Sequence, residues 1–188
     1  MAELPEEQII TMCRMGDRKA FDLLVRTHGR CLYGYIHTMT HNHAATDEIL
    51  QETFLRAFTR IEDCDPATPF RFWLFRIARN ASLDYLKSET RRTRREKHDA
   101  AAAPPAHGGD VETLAARREE AARLQQAMRQ LPKNQRTVMG LFAVAGFSIR
   151  EIARIMGCSE GTVMSHLGRA RQTLRKTLAP KTEIGKDA

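Results

Sequence analysis

The chain has 188 residues, 42% of them hydrophobic and 28% charged, which suits one medium domain or two small ones with genuine cores. No apolar run approaches the roughly 20 residues that a membrane helix needs, and the acidic start MAELPEEQII lacks the basic-then-apolar pattern of an export signal. A cytoplasmic location is therefore expected. The 30 basic against 23 acidic residues leave a net charge of +7, unevenly spread. Residues 87–97 and residues 148–178 each carry six basic and two acidic side chains, whereas residues 40–65 carry six acidic and two basic. The two basic stretches suit a polyanion, and the acidic one suits a protein partner.

Taken in chain order, the segments read as helix, with no sustained two-residue alternation. Gly16-Asp17 opens an amphipathic segment in which Ala20, Phe21, Leu24, Val25, Leu32, Tyr35 and Ile36 recur at threes and fours. It ends in HTMTHNHAATDE. His37 and His41 stand four apart, as two metal ligands on one helix face would, but Asn42 and the polar neighbours around His43 read as a solvated turn. No metal is expected there. A second helix is expected from near Thr46, with Thr46 as cap and Asp47-Glu48 suiting the positive helix start. It continues through Ile49, Leu50, Phe54, Leu55, Phe58 and Ile61. The acidic, proline-containing EDCDPATP must be a loop, and a third helix from about Phe70 aligns Trp73, Leu74, Ile77, Ala81, Tyr85 and Leu86.

Composition then shifts. Residues 99–110 (DAAAAPPAHGGD) offer almost nothing to bury and read as a linker. Helical spacing resumes near Val111 and runs through Leu114, Leu124, Met128 and Leu131 to Pro132. The four cysteines, Cys13, Cys31, Cys64 and Cys158, form no CxxC pair and read as reduced, partly buried side chains.

The strongest local pattern is SIREIARIMGCSEGTVMSHLGRARQTLRKTL. Ser148 and Glu151 form a capping box, Gly157 suits the turn, and Ser159 caps the next helix. Ala153, Gly157 and Val163 are the packing triplet of a helix-turn-helix, spanning 149–168. Val163, Leu167, Ala170, Leu174 and Leu178 form the inward stripe of the second helix. Residues near the start of such a helix read base edges, which makes Thr162, Met164, Ser165 and Arg169 the candidate readers, while His166, Arg171, Arg175 and Lys176 are placed for phosphates.

Three ordered groups of residues, GDRKAFDLLVR, then DEILQETFLRAF, then FRFWLFRIARNASLDYLKSETRR, precede LPKNQRTVMGLFAVAGFSIREIARIMGCSEGTVMSHLGRARQTLR. Together they resemble the extracytoplasmic-function (ECF) sigma factors of bacterial RNA polymerase, in the sigma-70 family. The resemblance implies an all-α fold of two small helical domains joined by a flexible linker: a sigma-2-like domain over 1–95, a linker over 96–111, a sigma-4-like domain over 112–180 and a tail over 181–188. It implies that Asp47, Glu48, Gln51, Glu52 and Phe54, within 47–60, dock on the β′ clamp helices of core polymerase, with the β flap as a further contact. It implies that the loop before Phe70 captures an unstacked base of the minus-10 element, supported by the Trp73 helix. Arg71, Trp73, Arg76, Arg79, Asn80, Lys87, Arg91 and Arg92 are the corresponding minus-10 candidates. An anti-sigma factor is implied as partner; membrane contact and a cofactor are not. Met164, His166 and Lys87 replace residues that are commonly basic or arginine in the family, which bears on the promoter sequence and not on the class.

A stand-alone helix-turn-helix regulator is the alternative, but it leaves the Asp47–Phe58 segment and the Trp73 helix without a role. With no phosphate-binding glycine loop, HExxH or nucleophile triad, the chain is not expected to be an enzyme.

Overall fold

The computed structural model describes residues 4–65, 68–96 and 122–179. The expected linker beyond Glu96, the expected helix start near Val111 and the tail lie outside the described residues. All regular structure among the described residues is helical. Helices α1 (Glu6–Arg14), α2 (Arg18–Thr40), α3 (His43–Thr59) and α4 (Phe70–Glu96) form the first module, with a 3₁₀ turn at Ile61–Asp63. Helix α5 covers residues 122–129. After it come α6 (Lys133–Met139), a π-helical turn (Gly140–Val144), α7 (Ile149–Met156) and α8 (Glu160–Leu178). None of these helices is long and apolar enough to cross a membrane.

Local chemistry sets the helix ends. The Asp17 carboxylate accepts from the Lys19 and Ala20 N–H groups to open α2, and α2 ends at His41 in the left-handed region, φ 51°. The next helix starts earlier than the sequence suggests. Asn42, an equally good cap, accepts from the Ala45 N–H at 3.1 Å. Thr46 instead lies buried in the first turn, its hydroxyl bonded to the Asn42 carbonyl and to the Thr40 hydroxyl. Sequence periodicity also missed α1, which is only nine residues long but buries Ile10 and Cys13.

In the helix-turn-helix, both halves of the Ser148–Glu151 capping box form, Gly157 turns at φ 66°, and Ser159 accepts from the Thr162 N–H. Ala153 and Val163 are buried between α7 and α8. The inward stripe of α8 stops at Leu174, packed with Ala127 and Leu131, whereas Leu178 is 42% exposed.

The two modules share one apolar core. Phe147, just after the π-helical turn, is buried with its ring 4.9 Å from Phe75 and 5.5 Å from Phe72. The Arg71 guanidinium lies 4.1 Å from the Phe147 centroid and donates to the Ala145 carbonyl at 2.8 Å. On α2, Gly34 and Tyr35 face Val144 and Gly140, and a Cβ added at either glycine would stand 3.0 Å from the opposing side chain. Arg129 donates to the His41 carbonyl at 3.1 Å.

The histidines form a stacked group at the end of α2. His37 and His43 have ring centroids 4.4 Å apart, and the Tyr33 hydroxyl meets His43 Nδ1 at 2.7 Å. Among the described residues no cluster of ligand-type side chains is arranged to hold a metal. Both ring nitrogens of His41 are buried without a hydrogen-bond partner. Burial pushes its pKa down to about 4, and the charges of Arg136, Arg129 and His37 push the same way. An unfolded chain, with histidine near ~6.5, therefore binds more protons than the native state between the two values. Stability is then complete above about pH 6.5 and declines toward about pH 4. Asparagine tolerates the left-handed region, so His41→Asn should flatten this decline. Denaturant midpoints measured across that window for both chains check it.

Candidate nucleic-acid interface

Helix α8 presents Thr162, Met164, Ser165, Arg169, Arg175 and Lys176 to solvent, on the side opposite Val163, Leu167, Ala170 and Leu174. An exposed N-terminal half of a recognition helix can enter a major groove about 12 Å wide. The other two phosphate candidates have different surroundings. His166 is only half exposed, with Nδ1 buried and unpaired. Arg171 is exposed, with its guanidinium 5.2 Å from the Phe142 ring centroid.

Helix α4 carries the second group. Trp73 is half-buried, its ring 5.8 Å from Phe70, and it lines two adjoining hollows. One, of about 450 Å³, is bounded by Asp63, Asp65, Thr68, Phe72, Trp73 and Arg76, and closed by Arg154 and Ile155 of α7. The other, of about 510 Å³, is bounded by Arg56, Arg60, Asp63, Trp73, Arg76, Ile77 and Asn80. These spaces suit a planar base beside an aromatic ring, with cations nearby for its phosphate. Arg76 is exposed and donates to the Arg154 carbonyl at 3.4 Å; Arg79 donates to the Asn80 side-chain oxygen at 3.2 Å. Farther along, Lys87 pairs with Asp84 and Arg92 with Glu89, both at 2.9 Å, and Arg91 is exposed. Lys87 holds the Asp84 carboxyl below the usual carboxylate range. Arg71 is the exception, turned onto Phe147.

Sequence reasoning singled out the loop before Phe70 but missed Arg56 and Arg60, because they sit at the end of the preceding helix. It also missed the approach of Arg154 and Ile155, which are more than 80 positions distant from Trp73.

On α3, Asp47, Glu48 and Gln51 are exposed and Glu52 is half-buried, paired with Arg56. Phe54 is not on this face. It is buried against Phe21, the rings edge-to-face at 6.3 Å. The exposed apolar side chain four residues beyond Gln51 is Leu55, 63% exposed. Helical spacing accounts for the difference: Phe54 falls with Ala57 and Ile61 on the inward side, and Leu55 with Asp47 and Gln51 on the outward one.

Comparison with known proteins agrees with both modules. The Sigma-70 region 2 family matches residues 24–92, and Sigma-70, region 4 matches residues 121–174. The RNA polymerase sigma-H factor of Pseudomonas aeruginosa is 31% identical over 93% of this chain and 94% of its own length. The ECF RNA polymerase sigma-E factor of Haemophilus influenzae is also 31% identical, over 96% of this chain and 99% of its own. Among solved structures, CnrH in complex with the cytosolic domain of CnrY is 29% identical, with a TM-score of 0.70 over 92% of this chain and 96% of that one. With an exposed helix-turn-helix face, a tryptophan-lined hollow and these relatives, the chain belongs to the ECF sigma factors of the sigma-70 family.

Proposed function

We propose a division of labour among three surfaces of this sigma factor, which binds core RNA polymerase and directs it to promoters. The acidic face of α3, through Asp47, Glu48, Gln51 and Glu52 with Leu55, docks on the β′ clamp helices, and the second module contacts the β flap. Helix α4 reads the minus-10 region: the hollows beside Trp73 hold an extracted base, with Arg76, Arg79 and Asn80 at their rim and Lys87, Arg91 and Arg92 along the strand. Extraction costs a few kcal/mol, and stacking on the indole returns much of it. The face of α8 that carries Thr162, Met164, Ser165 and Arg169 reads the minus-35 element. The observation that carries this reading is the sorting of charge, acidic on exposed α3 and basic on α4 and α8.

The chain works as a binding protein without catalysis of its own, in the cytoplasm where polymerase acts. A protein inhibitor, an anti-sigma factor, is the further partner; CnrH is bound by the cytosolic domain of CnrY. A regulator that acts without polymerase has no use for the acidic α3 face.

Polymerase docking is tested on α3. Asp47→Arg with Gln51→Ala should abolish co-purification with core enzyme while leaving stability unchanged within about 0.5 kcal/mol, because both positions are exposed. Phe54→Ala should behave oppositely and cost about 3–5 kcal/mol in denaturant unfolding. Intact holoenzyme formation by the double variant would remove α3 as the docking surface.

Base reading is tested on α8. Arg169 lies one turn past Ser165, within reach of a guanine edge, so Arg169→Ala should cost ~1–3 kcal/mol and relax preference at one minus-35 position. Lys176→Ala should weaken all promoters alike and reduce the salt slope of binding by about one. A promoter library competed at two salt concentrations distinguishes them. Equal loss at every site with Arg169→Ala would make it a phosphate contact.

A further inference from the structure

We propose that α1 braces the minus-10 loop: Glu6 and Arg14, at the two ends of one helix face, hold the two ends of the segment between the 3₁₀ turn and α4. They are positioning residues for base capture, acting through the loop and not on the base. The proposal rests on the minus-10 assignment of α4 given above.

The pattern begins in the sequence of α1. Glu6, Ile10, Cys13 and Arg14 follow one another at four, three and one, the spacing of a single inward stripe. Ile10 and Cys13, in its middle, are buried, and the charged residues at its ends stand about 12 Å apart along the helix axis. Each charged end finds a backbone group of the same loop. The Glu6 carboxylate accepts from the Phe70 N–H at 3.2 Å, where α4 begins. That N–H is one of the donors that a helix start leaves without an intrahelical acceptor, and a negative charge there is favourable. The Arg14 guanidinium donates to the Cys64 carbonyl, just past the 3₁₀ turn, and its Nε lies 4.0 Å from Glu62.

A second contact ties Glu6 to the aromatic side of the site. Its other carboxylate oxygen lies 3.1 Å from His28 Nε2. An ionised carboxylate only accepts, so the imidazole donates. The His28 side chain is 12% exposed, and its ring centroid is 5.5 Å from that of Phe70, which in turn is 5.8 Å from Trp73. Glu6 thus fixes the start of α4 through its backbone, and His28 packs on the ring that supports the indole.

Between the two anchors, Asp65 and Thr68 border the hollow beside Trp73, with the Thr68 hydroxyl donating to the Asp65 carboxylate at 3.1 Å. A wall held at both ends loses less entropy when a base enters than one that orders on binding.

Trp73 is the single tryptophan of the chain, so its fluorescence reports the hollow in the full-length protein without DNA. Glu6→Ala with Arg14→Ala should at least double the acrylamide quenching constant while the helical circular dichroism is kept. Glu6→Gln alone, which retains an oxygen for the Phe70 N–H, should quench as wild type does. In holoenzyme, an abasic site is then walked through the non-template minus-10 strand of a promoter selected by wild type from a random library. Wild type should lose about tenfold in open complexes at one position, the effect of removing one stacked base. The double variant should lose less than twofold there, with co-purification with core and minus-35 preference unchanged, and Glu6→Gln should recover the full loss. Wild-type quenching by the double variant, or retention of its full abasic loss, overturns the brace, as does weakening that accompanies failure to bind core. Should the double variant not fold, Glu6→Ala against Glu6→Gln decides by the same two readings. A wild type indifferent to the abasic site at every position would fail the minus-10 assignment alone, because quenching is read without DNA.

Discussion

Burial of Phe147 sets how the helix-turn-helix module sits against α4. Its ring meets Phe75 edge-on and Phe72 at a tilt, with the Arg71 guanidinium across it. Such aromatic pairs contribute about 0.5–1.5 kcal/mol each beyond area burial, and a desolvated cation on the ring adds up to about 2. The next residue, Ser148, is the N-cap of α7. The ring that joins the two modules and the start of the helix-turn-helix are thus adjacent in the chain, and the direction of α7 follows from where the ring is seated. Arg154 and Ile155 arrive beside Trp73 for that reason.

Charge sorting follows from the same packing. Helix α3 turns Ile49, Phe54 and Ala57 inward, which leaves Asp47, Glu48 and Gln51 outward. On α4 the cations run from Arg76 to Arg92, and two of them, Lys87 and Arg92, are held by an acidic neighbour three residues away. Exposed pairs of this kind contribute little to stability. Both pairs therefore leave their cations easily released to another anion.

The helix-turn-helix was legible because its determinants are local. A capping box, a left-handed glycine and a buried small residue act within about 20 residues, and the structure contains each at the expected position. The candidate site was legible only in part. Arg71, a minus-10 candidate by resemblance, lies on the Phe147 ring of a distant element, while Arg171 stays exposed beside Phe142. Phe54 read as a partner contact because it belongs to the docking pattern, while its burial depends on Phe21 of another helix. The contact between the two modules was not legible at all. Gly34 and Gly140 stand more than 100 residues apart, and a glycine in a helical run carries no sign of what approaches it.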